Sequence, residues 1–335
     1  MIGRLYLGTC TLLSLYVYKK YTHTNDNLNK KTLADYPYKI TQPEKKALKI
    51  LKEKNIRPVV VSLYDSDGGT YYTDLMISLF EKSNIKVIKV SPYKGLNHSI
   101  FKKDNKIHGI FLPGGPNIGQ YDEERKALEI ALINKAQVSD IPLLGVCRGN
   151  QIIGYNHGLN IGSIDEFRHH SLEYRAAINP ETNNIVIVAK GSQLYNALQD
   201  KIQNSQEIPE KIEYSISCLH HQGIQIYTSS QLKISGHSKS DNQIESVEIS
   251  TGKYYTVGLQ HHPEKIITAY NDEKKWWKIR TDKTKEIKAA RAEYGFFTKQ
   301  VKKKFLEDKD QKIKELEKQL ESEQDKRCQF ALYIS

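Results

Sequence analysis

The chain has 335 residues, 39% of them hydrophobic and 27% charged, with a formal net charge of +11. Four cysteines (Cys10, Cys147, Cys218 and Cys328) stand far apart, which excludes a dense disulfide framework, offers no metal-ligand spacing and favours a reduced compartment. The basic excess is scattered among glutamates with no nucleic-acid motif beside it, so it reads as solvated surface rather than a nucleic-acid interface.

Residues 1–20 hold an apolar, uncharged run from Leu5 to Tyr18, with Arg4 before it and Lys19 and Lys20 after. The run is shorter than the ~20 residues of a full membrane span and closer to a signal h-region, yet no small-residue cleavage site follows it. It reads as a marginal membrane anchor or uncleaved signal, with a stray apolar N-terminal helix as the alternative. If it does span, the lysines at 19, 20, 30 and 31 keep the body cytoplasmic. Residues 21–54 form a polar linker and a short helix from Glu44 to Lys54.

From residue 55 the pattern becomes that of a layered domain, expected to extend to residue 271. Arg57 to Tyr64 is a near-continuous apolar run, as in a strand covered on both faces of a parallel sheet. Asp65 to Gly69 turns the chain, and Tyr72 to Lys82 has helical periodicity with Leu75, Met76, Leu79 and Phe80 on one face. Strands follow at Ile85–Val90 and Ile107–Leu112, then a helix at Glu123–Lys135. This alternation predicts an α/β fold, a mostly parallel sheet flanked by helices with right-handed crossovers. Functional residues then belong at the carboxyl ends of the strands.

Three strand ends carry chemistry. Ile141-Pro-Leu-Leu-Gly-Val-Cys147 runs into Arg148-Gly-Asn-Gln151 and an amphipathic helix, so Cys147 sits between Gly145 and Gly149 in a nucleophile-elbow pattern, Gly-x-Cys-x-Gly. At a helix N-terminus the dipole and the orphan N–H groups favour thiolate over thiol. Val257-Gly-Leu-Gln-His-His-Pro-Glu264 ends a second strand with His262, a candidate base, and Glu264, a carboxylate to orient it. Gly109 to Gly115 is a third strand with a glycine turn that can offer a backbone N–H to an oxyanion. Short apolar or alternating runs between Ile185 and Leu259 complete a strand-rich return half.

In this order, Pro113-Gly-Gly115, Gly145 to Gln151 and Gly258 to Glu264 resemble the three signature blocks of the class I glutamine amidotransferase superfamily. The resemblance spans roughly residues 56–268, and Ser217-Cys-Leu-His-His-Gln222 is similar to the block that marks the γ-glutamyl hydrolase (γ-glutamyl-γ-aminobutyrate hydrolase-like) branch. It implies a flavodoxin-like sheet and hydrolysis of a γ-glutamyl amide by Cys147, His262 and Glu264 through a thioester, without a metal or organic cofactor. It further implies an oxyanion hole from the N–H groups of Gly115 and Arg148. A substrate pocket would be lined by Gly114, Gln151, Cys218, Leu219, His220, His221 and Gln222. The chain departs from the family in having Ser217-Cys218 where Asn-Ser is usual, and a histidine, His261, where an aromatic residue often stands. No role is assigned to His261. The pairs His169-His170, His220-His221 and His261-His262 are not read as zinc ligands, because adjacent side chains on a strand point apart.

Two other functions fit the same residues: a glutaminase subunit feeding ammonia to a separate synthase, and a non-catalytic binding protein reusing the fold. Residues 272–335 form a charged tail in which Tyr294, Phe297, Val301 and Phe305, then Ile313, Leu316 and Leu320, make a helical stripe interrupted near Asp308 to Asp310. The expectation is one or two polar helices, docked on the domain, self-associating in a coiled coil, or held by a protein partner.

Overall fold

Strand β1 (Val59–Leu63) is buried from Val60 onward, as its unbroken apolar character requires, and it anchors the sheet. A computed structural model describes residues 41–53, 56–64, 70–93, 99–101, 106–119, 122–164, 184–202, 209–216, 218–226, 231–249, 252–271 and 283–334. The apolar run at 5–18, His169, His170 and Ser217 lie outside them. Among the described residues no helix is long and apolar enough to cross a membrane.

In chain order the elements are α1 (Gln42–Glu53), β1, α2 (Thr70–Lys82), β2 (Lys86–Val90), β3 (Gly109–Leu112), α3 (Glu123–Val138), β4 (Leu143–Val146) and α4 (Arg148–Asn156). There follow β5 (Asn160–Ser163), β6 (Asn184–Ala189), α5 (Gln193–Ile202), β7 (Lys211–Ile216), β8 (Gln222–Ile226), β9 (Leu232–Ser238), β10 (Ile244–Ile249), β11 (Thr256–Leu259), α6 (Pro263–Asn271) and α7 (Lys283–Ile334). The strands join in one mixed sheet of order β2-β1-β3-β4-β11-β10-β9-β6-β7, with β8 branching from β10 and β5 pairing β8.

The half from β2 to β11 is parallel throughout. Beyond β11 the described ladders are antiparallel. The expected α/β sheet flanked by helices is therefore present, and its parallel half brings β3, β4 and β11 side by side. Register places Gly145 opposite Gly258 and Leu112 opposite Gly145, so the three motif-bearing strand ends meet on one edge.

Alternate residues of these strands feed two cores. Val60, Phe111 and Val257 face one cluster with Met76 and Phe80 of α2 and Phe297 and Val301 of α7. Val61, Ile110 and Leu112 face the other with Leu128 and Leu132 of α3 and Ile152 and Ile153 of α4.

Among the described residues, 41–304 fall in one compact unit and 305–334 in a second. In the first unit, the early part of α7 belongs to the core: Ala289, Ala290, Phe297 and Val301 are buried, and the Phe80 and Phe297 rings stand 5.6 Å apart. The stripe at 294–301 thus meets the sheet domain, and the coiled-coil expectation finds no support there, because a docked apolar face leaves no seam for a partner helix. The second unit is described as the continuing helix from Phe305, which runs through Asp308 to Asp310 without the expected break.

Candidate active site

Cys147 stands between β4 and α4 with φ 52° and ψ −105°, a left-handed conformation that is costly for a residue with a side chain. The turn is tight enough to need its glycines. A Cβ on Gly145 would stand 2.5 Å from the Gly149 carbonyl oxygen, and one on Gly149 would collide with the Leu112 carbonyl. The Cys147 N–H donates to the Leu259 carbonyl at 2.7 Å, which ties the elbow to the end of β11. The first amides of α4, that of Arg148 included, have no carbonyl four residues back to bond within the helix.

His262 follows β11 and Glu264 opens α6. The His262 Nδ1 meets Glu264 Oε1 at 2.6 Å, and both side chains are buried. The other side of the ring lies toward Cys147: a Cβ on Gly114 would stand 3.1 Å from His262 Cε1, 3.7 Å from Nε2 and 3.5 Å from Cys147 Cβ. Burial works against the imidazolium, but the Glu264 carboxylate and the hydrogen bond with Cys147 outweigh it and raise the His262 pKa to about 10. Tyr72 of α2 packs on the imidazole with ring centroids 5.0 Å apart.

The sequence reading assigns Arg148 only a backbone N–H. Its side chain is fully buried and gathers a charged network beneath the glycine turn. Arg148 Nε and Nη2 donate to Glu129 of α3 at 2.9–3.1 Å, and Nη1 donates to the Pro116 carbonyl at 2.8 Å. Arg148 also pairs closely with Asp122. Arg125 donates through Nε to Glu129 Oε1 and through Nη2 to the Gly114 carbonyl, both at 2.9 Å. Burial lowers the Arg148 pKa, and Glu129 and Asp122 raise it by more, so the guanidinium stays charged. This network braces the Gly114-Gly115-Pro116 loop from two carbonyls. A legible signal existed: Arg125 and Glu129 are four apart on a predicted helix, the spacing of a same-face ion pair.

The segment 218–222 adjoins Cys147. The Leu219 carbonyl lies 3.9 Å from Cys147 Sγ. Gln151 Nε2 donates to the Gln222 carbonyl at 2.7 Å, and the Gln222 side chain binds the Ile118 backbone, accepting from its N–H at 2.8 Å. Gln222 therefore ties the loop after β3 to β8. His220 Nδ1 donates to the Gln222 carbonyl at 3.0 Å, while His221 is half-buried at the turn and its carbonyl accepts from Ile164 N–H.

Cys218, His220 and Glu245 bring ligand-type atoms within 4.8 Å of one another, all buried, although the sequence reading assigns no metal. His220 Nε2 stands 3.9 Å from Glu245 Oε1, an ion-pair distance when the ring is protonated. Glu245 and Glu293, which meets His261, are additional buried carboxylates that motif reading passes over, because neither lies in one of the signature blocks.

The family model described as Peptidase C26 matches residues 92–264. A γ-glutamyl-γ-aminobutyrate hydrolase of Escherichia coli is 29% identical over 179 residues, 48% of this chain and 65% of that protein. A CTP synthase of Methanocaldococcus jannaschii is 29% identical over 181 residues, 49% of this chain and 32% of that protein. The chain thus spans about a third of the length of the one relative and about two thirds of the other. A glutamine amidotransferase structure from Thermotoga maritima aligns with a TM-score of 0.48 at 17% identity, covering 73% of this chain and 98% of that one.

Proposed function

The chain belongs to the Peptidase C26 family, and from that premise we propose that it is a cysteine hydrolase of γ-glutamyl amide bonds, working through a thioester on Cys147. The observation that carries the reading is the meeting of a positive-φ cysteine at a helix N-terminus with a buried imidazole whose far nitrogen is held by a carboxylate at 2.6 Å. Such an imidazole keeps its proton beside the Cys147 sulfur, where it can be handed to a leaving amine.

The Cys147 thiolate attacks the amide carbonyl carbon, and the carbonyl π electrons move to oxygen. The resulting oxyanion sits by the N–H groups of Gly115 and Arg148, donors worth about 10²–10³ in rate each where they have been removed from other hydrolases. His262 passes its proton to the amine nitrogen as the C–N bond breaks, which leaves a neutral imidazole and a thioester. Water then attacks the thioester while His262 takes its proton, the C–S bond breaks, and glutamate and thiolate are regenerated. Glu264 orients the ring in both halves without taking up the proton. By proposal the substrate is contacted by Gly114, Gln151, Gln222 and the 218–221 segment, whose Leu219 carbonyl lies 3.9 Å from the Cys147 sulfur. No resident cofactor enters the scheme.

A second reading, a glutaminase subunit supplying ammonia to a separate synthase, is favoured by the similarity to a CTP synthase. One experiment separates the two. The isolated chain is incubated with a panel of γ-glutamyl amines, γ-glutamyl peptides and glutamine, and glutamate release is followed. Turnover without a partner, with γ-linked amines preferred over glutamine, supports the hydrolase. An inert chain that acts on glutamine only when a synthase is added supports the subunit.

A further inference from the structure

Three consecutive residues at the end of β11 are each pinned by a different part of the fold. Gln260 accepts a hydrogen bond from Asn150 Nδ2 at 3.1 Å through its side chain, and its N–H donates to the Glu245 carbonyl at 2.8 Å. His262 is held by Glu264 at 2.6 Å. Between them, His261 Nε2 lies 3.1 Å from both carboxylate oxygens of Glu293, a residue of α7. Glu293 is fully buried and also accepts from the Tyr214 hydroxyl at 2.6 Å.

We propose that Glu293 is a positioning residue for the base: by clamping the His261 ring it fixes the turn at 260–262, and so fixes where His262 meets Cys147. The proposal rests on the reading of His262 as the base. Its logic is steric and electrostatic together. His261 and His262 share one short turn, so a rotation that frees the first ring displaces the second, and a displacement of about 1 Å in a catalytic group costs on the order of 10²-fold in rate. A buried carboxylate facing an imidazole is retained only when each satisfies the other, because removing one partner strands the second in a dry interior. An aromatic residue at position 261, usual in the family this chain resembles, would need no such partner. His261 and Glu293 therefore form a matched pair, and Glu293 lies outside the segment 92–264 that matches the family. The charged and titratable groups facing His261 are Glu293 from α7, Glu245 from β10, Tyr214 from β7 and the neighbouring His262, with Tyr255 close to Glu293. The core packing of Phe297 and Val301 one and two turns further on holds the helix that carries Glu293 in place.

The test compares three variants of the full chain: Glu293→Gln, His261→Phe, and the two combined. Glutamine keeps an acceptor for Tyr214 but removes the charge, and phenylalanine removes the ring that needs it. Each single variant is expected to lower kcat by about tenfold with KM changed less than about twofold, and to slow iodoacetamide labelling of Cys147 in parallel. The double variant is expected to recover most of the loss seen in His261→Phe, because it leaves no charge without a partner. If every folded variant keeps the wild-type kcat and Cys147 labelling rate while only the unfolding temperature moves, Glu293 is a core residue and the proposal is wrong. Labelling reads the Cys147–His262 geometry without any substrate, so a chain that turns over no γ-glutamyl amide would sink the proposed activity and still leave this inference decided.

Discussion

The molecule holds two trios of cysteine, histidine and glutamate: Cys147, His262 and Glu264, and Cys218, His220 and Glu245. All six residues are buried, and in both a ring nitrogen is fixed by an oxygen, Glu264 at 2.6 Å for His262 and the Gln222 carbonyl at 3.0 Å for His220. What differs is the backbone under the sulfur. Cys147 is forced to φ 52° at the start of a helix by glycines that admit no side chain, and His262 comes to it from the end of a neighbouring parallel strand. Cys218 sits after an antiparallel strand, β7, with no helix starting at it. The comparison teaches that two similar sets of side chains can sit on unlike backbones, and on the proposed reading it is the elbow, the helix amides and the braced glycine loop that would make Cys147 the nucleophile.

The largest expected effect tests that difference directly. Cys147→Ala should lower turnover by at least about 10⁴-fold, the scale of triad removal in other hydrolases, without loss of the fold. Cys218→Ala should cost less than about tenfold, because it removes a pocket wall and not the attacking atom. Measured on a γ-glutamyl amine, comparable losses for the two would erase the distinction between the trios.

How much of this was legible in the sequence depends on whether a feature is local. Gly145 to Gln151 and Gly258 to Glu264 are contiguous patterns set by backbone needs, so strand, turn and helix start could be placed from residue types alone, and the structure brings both to one sheet edge. Glu245 and Glu293 were not legible as site residues, and Glu129 was legible only as the i,i+4 partner of Arg125 on its own helix. Their partners Arg148, His220, His261 and Tyr214 lie 19, 25, 32 and 79 residues away in sequence, through tertiary contact that leaves no periodic trace. The tail was read from its charge, which describes its solvent side. Its buried side, Ala289, Ala290, Phe297 and Val301, is spaced as a helix face, but nothing in the sequence says which surface it covers.

A second way to sharpen the comparison is through the brace, which only the first trio has. Arg148→Lys keeps the charge but cannot reproduce a planar fork that spans Glu129, Asp122 and the Pro116 carbonyl. Breaking such a buried pair should cost about 3–5 kcal/mol of stability. It should also lower kcat through the loosened Gly114–Pro116 loop. Denaturant unfolding and kcat measured together would show whether loop and fold are coupled, and a fully active, equally stable variant would remove the brace from the account.

The pH dependence gives a smaller effect with a definite sign. The folded-state pKa of His262 is raised from 6.5 to about 10, against burial, by Glu264 and Cys147. A raised pKa contributes stability that is fully present below about 6.5 and is lost as pH climbs through about 10. Unfolding free energy should therefore decline across that window, and Glu264→Gln should flatten the decline. Chemical denaturation at a series of pH values checks it, with identical slopes in both proteins counting against an imidazolium held by Glu264.

The smallest effect concerns the second trio alone. Cys218, His220 and Glu245 offer sulfur, nitrogen and oxygen within 4.8 Å, a donor set that zinc accepts. In His220 the Nδ1 proton is committed to the Gln222 carbonyl, which turns Nε2 toward Glu245. A proton on Nε2 satisfies that arrangement as an imidazolium–carboxylate pair, without any ion. On this account the purified chain carries no stoichiometric metal, and dialysis against a chelator leaves kcat and the unfolding transition where they were. Elemental analysis before and after dialysis, read beside turnover, decides the matter. One equivalent of zinc whose removal lowers the unfolding temperature would make the second trio a structural metal centre. The two trios would then differ in what they bind as well as in the backbone beneath them.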